Sequence, residues 1–187
     1  MRLFVAVTPP IEVVDHLDAM VGPLRDDELR WTVPDSWHVT LAFYGEVGAK
    51  ALADLGPRLE RAARRCPVLA LRLAGVGRFD GRALWVGCRG DVVSLRRLAS
   101  SVRAAGRRAG AAVDERRRFR AHVTLARSSR PVDLRPHVLA LAAYEGPEWA
   151  AGDIALVRSH LDADDRGRPR YETVSRYPLS SHAVGRA

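Results

Sequence analysis

The pentapeptide HVTLA occurs twice in this chain, at positions 38–42 and again at 122–126. In a sequence this short, a repeat of that length is expected by chance on the order of once in a hundred cases, so it marks an internal duplication. A duplicated strand constrains the fold more tightly than composition does. Side chains alternate faces along a strand. His38, Thr40 and Ala42 are therefore expected on one face, with Val39, Leu41 and Phe43 on the other. The second copy divides His122, Thr124 and Ala126 from Val123 and Leu125, and strict alternation sends Arg127 to the face opposite His122. The aliphatic face can pack under helices. The other face presents an imidazole and a hydroxyl roughly 6.5–7 Å apart at Cα, with alanine beside them leaving open surface. Two similar lobes facing each other across a cleft would bring both pairs together.

The rest of the sequence alternates strand and helix patterns. Leu3 to Val7 is an apolar run closed by Pro9 and Pro10, and Ile11, Val14, Leu17 and Val21 follow at helical spacing. A strand is expected over 37–44, ended by Gly45. A helix over 50–65 places Leu52, Leu55, Leu59 and Ala62 on one face, and Pro57 inside it predicts a kink or a late start. Strands over 68–76 and 83–88 are joined by GRFDGR, a hairpin-like connection. A helix over 91–109 has Asp91 as its expected N-cap and Gly110 as its stop. The second HVTLA strand spans 121–127, followed by a short helix over 134–142 and strands over 154–161 and 171–179. Short turns between neighbouring strands predict mixed or antiparallel sheets in an α+β fold, and no linker divides the chain.

Composition narrows the class. The 187 residues are 47% hydrophobic, enough for a core that needs no covalent staple. Cys66 and Cys88 are too few for a disulfide framework, which fits a reducing cytoplasm. No run approaches the ~18 apolar residues of a membrane span, and MRLFVAVTPP lacks the apolar core of a signal peptide. A soluble cytoplasmic protein is expected, with no membrane partner. The net charge of +8 and pI near 10.6 invite a polyanion. However, 29 of the 30 basic residues are arginine, a skew that spreads over the whole surface, so charge alone decides nothing. The cluster RRRFR, at 116–120, stands directly before the second HVTLA and puts its field beside that strand.

Two imidazoles and two hydroxyls around one point suit phosphodiester chemistry. Histidine titrates near neutral pH, so one ring can act as base and the other as acid. Threonine hydroxyls are neutral donors for non-bridging phosphate oxygens. A strained 2',3'-cyclic phosphate is the easiest guest, since ring opening supplies driving force without a metal. Each histidine comes with threonine rather than with a second ligand at metal spacing, so neither a metal nor a cofactor is expected. A single HVTL would be an ordinary strand with a polar face; the duplication is what raises it above that.

The paired strands, with MRLFVAV, RWTVPDSWHVTLAFYGEV, AGVGRFDGRALWVG, FRAHVTLAR, IALVRSHL and a later Tyr171 around them, resemble the two-histidine phosphoesterase superfamily. The flanks narrow this to the RNA 2',3'-cyclic phosphodiesterases, also called bacterial 2'-5' RNA ligases. That resemblance implies a bilobal α+β domain over 1–187 with pseudo-twofold symmetry, two sheets flanked by helices, and a central cationic cleft. It implies hydrolysis of RNA 2',3'-cyclic ends to 2'-phosphates, with minor 2'-5' ligation in reverse, by a cytoplasmic monomer. His122 would be the base and His38 the acid, a division that pseudo-symmetry would equally allow in reverse. Thr40, Thr124 and Arg127 would hold the phosphate, Arg127 only if its strand bends or ends there. Two departures stand out: Ala121 where the family commonly has proline, and FYG where it has FLG. Alternatives are a related phosphoesterase acting on a small cyclic nucleotide or a 2'-5' oligonucleotide, and an RNA-end-binding module without turnover.

Other residues carry weaker signals. Phe119 is a candidate for stacking on a terminal base, and Arg116, Arg117, Arg118 and Arg120 for steering the RNA backbone. Trp31 and Trp37 read first as packing residues. His16, His137 and His182 read as solvated or structural, and either Ser159 or His160 can face the cleft, but not both.

Overall fold

The computed structural model describes residues 1–114, 118–160 and 170–181. Its strands are β1 (Arg2–Val7), β2 (Arg30–Trp31), β3 (Val39–Glu46), β4 (Leu69–Phe79), β5 (Ala83–Gly90), β6 (His122–Arg127), β7 (Glu145–Ala151), β8 (Asp153–His160) and β9 (Arg170–Pro178). Four α-helices join them: α1 (Ile11–Val21), α2 (Ala49–Arg64), α3 (Val92–Arg108) and α4 (Arg135–Ala140). One sheet has the order β3-β1-β8-β9 and the other β2-β6-β5-β4-β7. Every ladder within them is antiparallel, so the fold is α+β, as the short turns predicted.

Each HVTLA strand lies in a different sheet, next to a strand of its own half. The helices cross over. α1 follows β1 yet packs against β7 of the other sheet, and α3 follows β5 yet packs against β3 and α2. On β1, Leu3, Val5 and Val7 point into the large core, while Phe4 and Ala6 face the other way with Ala155 and Val157. One apolar cluster thus lies behind both sheets, and their opposite faces are left to form the cleft.

Several local expectations need correction. α2 begins at Ala49 and runs unbroken through Pro57, whose ring removes one helical N–H without ending the helix. Asp91 does not cap α3 with its side chain; its carboxylate accepts the Ala70 N–H at 2.9 Å instead. α3 does stop at Gly110, whose φ of +81° suits glycine. β4 continues through Gly77, Arg78 and Phe79, so only the three-residue turn Asp80-Gly81-Arg82 separates it from β5, with positive φ at Asp80 and Gly81. β2 and β7 had no counterpart in the hydrophobic pattern. β2 has only two residues, and the EGPEWAA of β7 has little apolar alternation.

Candidate active site

The strand pairing explains where the motif side chains point. Across the β1–β3 ladder Ala6 faces Thr40 and Val5 faces Ala42, leaving Leu41 as one residue too many. Across β5–β6, Trp85 faces Thr124 and Leu84 faces Ala126, leaving Leu125 in the same position. Both copies therefore carry a β-bulge at the same motif residue. Beyond such a bulge the alternation of faces is reversed. Ala42 (2% exposed) and Ala126 (0%) turn into the core, contrary to the expectation that they would flank the histidines. The next residue in each strand turns outward: Phe43 joins the face of His38 and Thr40, and Arg127 joins that of His122 and Thr124. Register bears this out, since Phe43 faces Phe4 and Arg127 faces Ala83. The bulge is the bend that Arg127 needed.

The two imidazoles are held alike. His38 Nδ1 lies 2.6 Å from the carbonyl of Ser36, and His122 Nδ1 lies 2.8 Å from the carbonyl of Arg120. A carbonyl can only accept, so each Nδ1 carries the hydrogen and each Nε2 keeps its lone pair for chemistry. The anchoring carbonyl is two residues upstream in both cases. Thr40 and Thr124 are half-buried beside their histidines.

The surroundings differ between the halves. His38 stacks on Phe4 with ring centroids 4.7 Å apart, and Tyr171 meets it edge-on at 5.2 Å. Phe43, 52% exposed, lies 5.7 Å from Phe4. His122 is met edge-on by Phe79 at 5.2 Å and by Trp85 at 6.1 Å. The Arg120 guanidinium lies 4.9 Å from the Trp85 ring centroid. Gly77 gives the indole its seat: a Cβ there would come within 2.2 Å of Trp85.

Burial lowers the pKa of both histidines, His38 to about 4, against an opposing pull from each carbonyl bond. The charge of Arg127 lowers both rings further, and Arg120 adds to the effect on His122. His122 also acts on His38, and β3 touches β6, so the two rings share one cleft. Both are neutral near pH 7 in the free site. Arg127 acts on Tyr171 as well, from the far side of that cleft.

The flanking residues are less uniform. Arg118 is exposed. Phe119 is partly buried against the core cluster, so only part of its ring remains for a base. Arg116, Arg117 and His182 lie outside the described residues. Trp31 and Trp37 are buried, which leaves them no surface for stacking on RNA. His137 bonds Asp26 at 3.0 Å, His16 meets the Tyr144 hydroxyl, and His160 pairs with Glu172 at 2.7 Å. Ser159 pairs with Tyr171 across β8–β9 and takes the cleft side. Among the described residues, no three histidine, cysteine or carboxylate side chains gather as metal ligands.

Tyr171, noted in the sequence after IALVRSHL, stands edge-on to His38. Sequence reasoning missed the aromatic wall residues Phe4, Phe79 and Trp85, since nothing local distinguishes them from core residues. It also missed Arg30, which faces Arg127 directly across β2–β6 while Trp31 turns into the core. Two guanidiniums opposed on one face repel, an arrangement suited to an anion.

Two Nδ1-anchored histidines with paired threonines, one pair from each sheet, form the arrangement that the sequence shares with two-histidine phosphoesterases. The sequence model of the 2'-5' RNA ligase superfamily matches residues 10–163, and the chain belongs to that family. It is 32% identical over 189 residues to an RNA 2',3'-cyclic phosphodiesterase of Escherichia coli, covering 96% of this chain and 97% of the relative. It is 29% identical to a Geobacillus stearothermophilus protein of the same name, covering 83% of this chain but only 49% of that longer relative. The solved structure of E. coli LigT complexed with 3'-AMP superimposes with a TM-score of 0.78 at 29% identity, covering 95% of this chain and 97% of that one.

Proposed function

We infer that this protein hydrolyses RNA ends bearing a 2',3'-cyclic phosphate to 2'-phosphate ends, using two histidines and no metal. The observation that carries this is the pair of Nδ1-anchored imidazoles sharing one cleft, each with Nε2 free and a threonine beside it. Family membership and the names of the relatives support it. In this reading His122 Nε2 takes a proton from water, and the hydroxide attacks phosphorus. The bond from phosphorus to the 3' oxygen breaks as His38 Nε2–H delivers a proton to that oxygen. Arg120 and Arg127 favour the neutral form of His122, the form a base requires. The substrate anion favours the charged form of His38, and a buried imidazolium with a low pKa is a strong acid.

Thr40, Thr124 and Arg127 hold the non-bridging oxygens. Arg118, Phe119 and Arg120 guide the RNA that follows. Joining of ends through a 2'-5' linkage uses the same groups in reverse and is minor in water. The chain acts as one bilobal domain over 1–187, as a monomer in the cytoplasm. No helix among the described residues is long and apolar enough to cross a membrane.

The test is an oligoribonucleotide with a 2',3'-cyclic end, incubated with the protein and a chelator, followed by identification of the product. A 2'-phosphate is expected. A 3'-phosphate would mean that the other oxygen is protonated, and tight binding without conversion would leave an RNA-end-binding module.

A further inference from the structure

Residues 30–38 form a short strap between the two halves of the site. It begins in β2, paired with the second motif strand, and ends at His38 of the first. Thr32 is bonded in both directions along it. Its N–H donates to the Leu125 carbonyl at 2.9 Å. Its hydroxyl hydrogen is shared between the carbonyls of Thr124 and Leu125, each at 2.8 Å. Its oxygen accepts the indole N–H of Trp37, also at 2.8 Å. Leu125 is the bulge residue that turns Arg127 toward the cleft. Trp37 is 2% exposed and precedes His38 in the chain, and Ser36, whose carbonyl holds the His38 ring, precedes Trp37.

We propose that Thr32 is a positioning residue: its hydroxyl fixes the segment that carries His38 against the bulge that aims Thr124 and Arg127. Thr32 touches no reacting atom in this reading. Its effect is on distance, and misplacing a catalytic group by about 1 Å can cost on the order of 10²-fold in rate. Valine has nearly the shape of threonine but can neither accept the indole N–H nor donate to the carbonyls. Serine keeps both bonds. Phenylalanine at position 37 removes the indole donor and part of a buried ring while leaving the Thr32 bonds to the carbonyls in place.

The proposal rests on the phosphodiesterase reading, so turnover of a cyclic-ended dinucleotide by the parent protein is measured first. Absence of parent turnover would sink that reading. Given an active parent, Thr32→Val is expected to lower kcat by about 10–100-fold. KM should change less than about threefold, because the threonines and Arg127 still meet the phosphate. Thr32→Ser should recover to within about threefold of the parent, and Trp37→Phe should fall between the two. A purely structural pin would lower the melting temperature of Thr32→Val while leaving kcat within about twofold of the parent, and that result overturns the proposal. So does a loss that serine fails to restore. Where Thr32→Val does not fold, Trp37→Phe and Thr32→Ser decide. A lower kcat in the first with a near-parent second supports the proposal, and parent-like kcat in Trp37→Phe refutes it.

Discussion

The two HVTLA strands agree in sequence, in bulge position and in how each histidine is anchored, yet they meet opposite surroundings. The His38 half is aromatic and carries no guanidinium on its own motif strand, with Phe4 and Tyr171 against the ring and Phe43 at the outward position after the bulge. The His122 half is cationic, with Arg120 over Trp85 and Arg127 at that same outward position. Duplication supplies matched geometry, and neighbours then make the two rings unlike. That inequality is useful, because two identical imidazoles in identical fields would have no reason to divide acid from base.

Removing either ring tests this comparison most severely. His38→Ala and His122→Ala are each expected to lower kcat on a cyclic-ended oligomer by about 10²–10⁴-fold. The double variant should be little worse than the poorer single one, since the rings act as a unit. Single-turnover assays would show it, and a single variant with parent-like turnover would remove its half-site from the chemistry.

Acid should separate the halves next. The folded chain withholds a proton from His38 down to about pH 4, whereas the unfolded chain accepts one near 6.5. Stability from this group is therefore complete above pH 6.5 and is lost as pH falls toward 4. The loss should approach about 2–3 kcal/mol. Urea unfolding at pH 7 and pH 4.5 should show a smaller drop for His38→Asn than for the parent; equal drops would contradict it.

Smaller effects sharpen the contrast at the outward positions. Arg127→Leu is expected to lower kcat/KM by about 30–100-fold, through loss of a charge-assisted contact. Phe43→Leu should cost about 3–10-fold, with little dependence on salt, as for a lost stacking surface. Smallest of all, Arg30→Gln should weaken oligomer binding about two- to fivefold and reduce the salt slope by about one. A cyclic mononucleotide should be unaffected by it, and an equal change for both substrates would exclude a contact with the RNA chain.

The four motif residues, the alternation of elements and the α+β class were all legible in the sequence, because strand and helix periods are local. The sixth residue of each motif strand was not. Strict alternation placed Phe43 and Arg127 away from the histidines, and Ala42 and Ala126 beside them, whereas the bulges at Leu41 and Leu125 invert all four. A bulge is a mismatch between two strands and leaves no mark on either alone. Phe119 failed to announce its place for a related reason: an aromatic ring between arginines suits RNA or a core equally, and only packing showed that it leans on the core. Arg30 escaped notice because a two-residue strand has no period to detect.

The crossing of helices has a consequence of its own. Tyr44, from the first half, lays its ring where a side chain on Gly106 of α3 would sit and donates its hydroxyl hydrogen to the Val102 carbonyl at 2.8 Å. α1 returns the exchange by covering β7. Whatever ancestor was copied to make this chain, its descendants have traded parts. Either repeat made alone would bare an apolar surface that its twin now covers, and splitting the gene at its midpoint should give two sticky fragments rather than two small proteins.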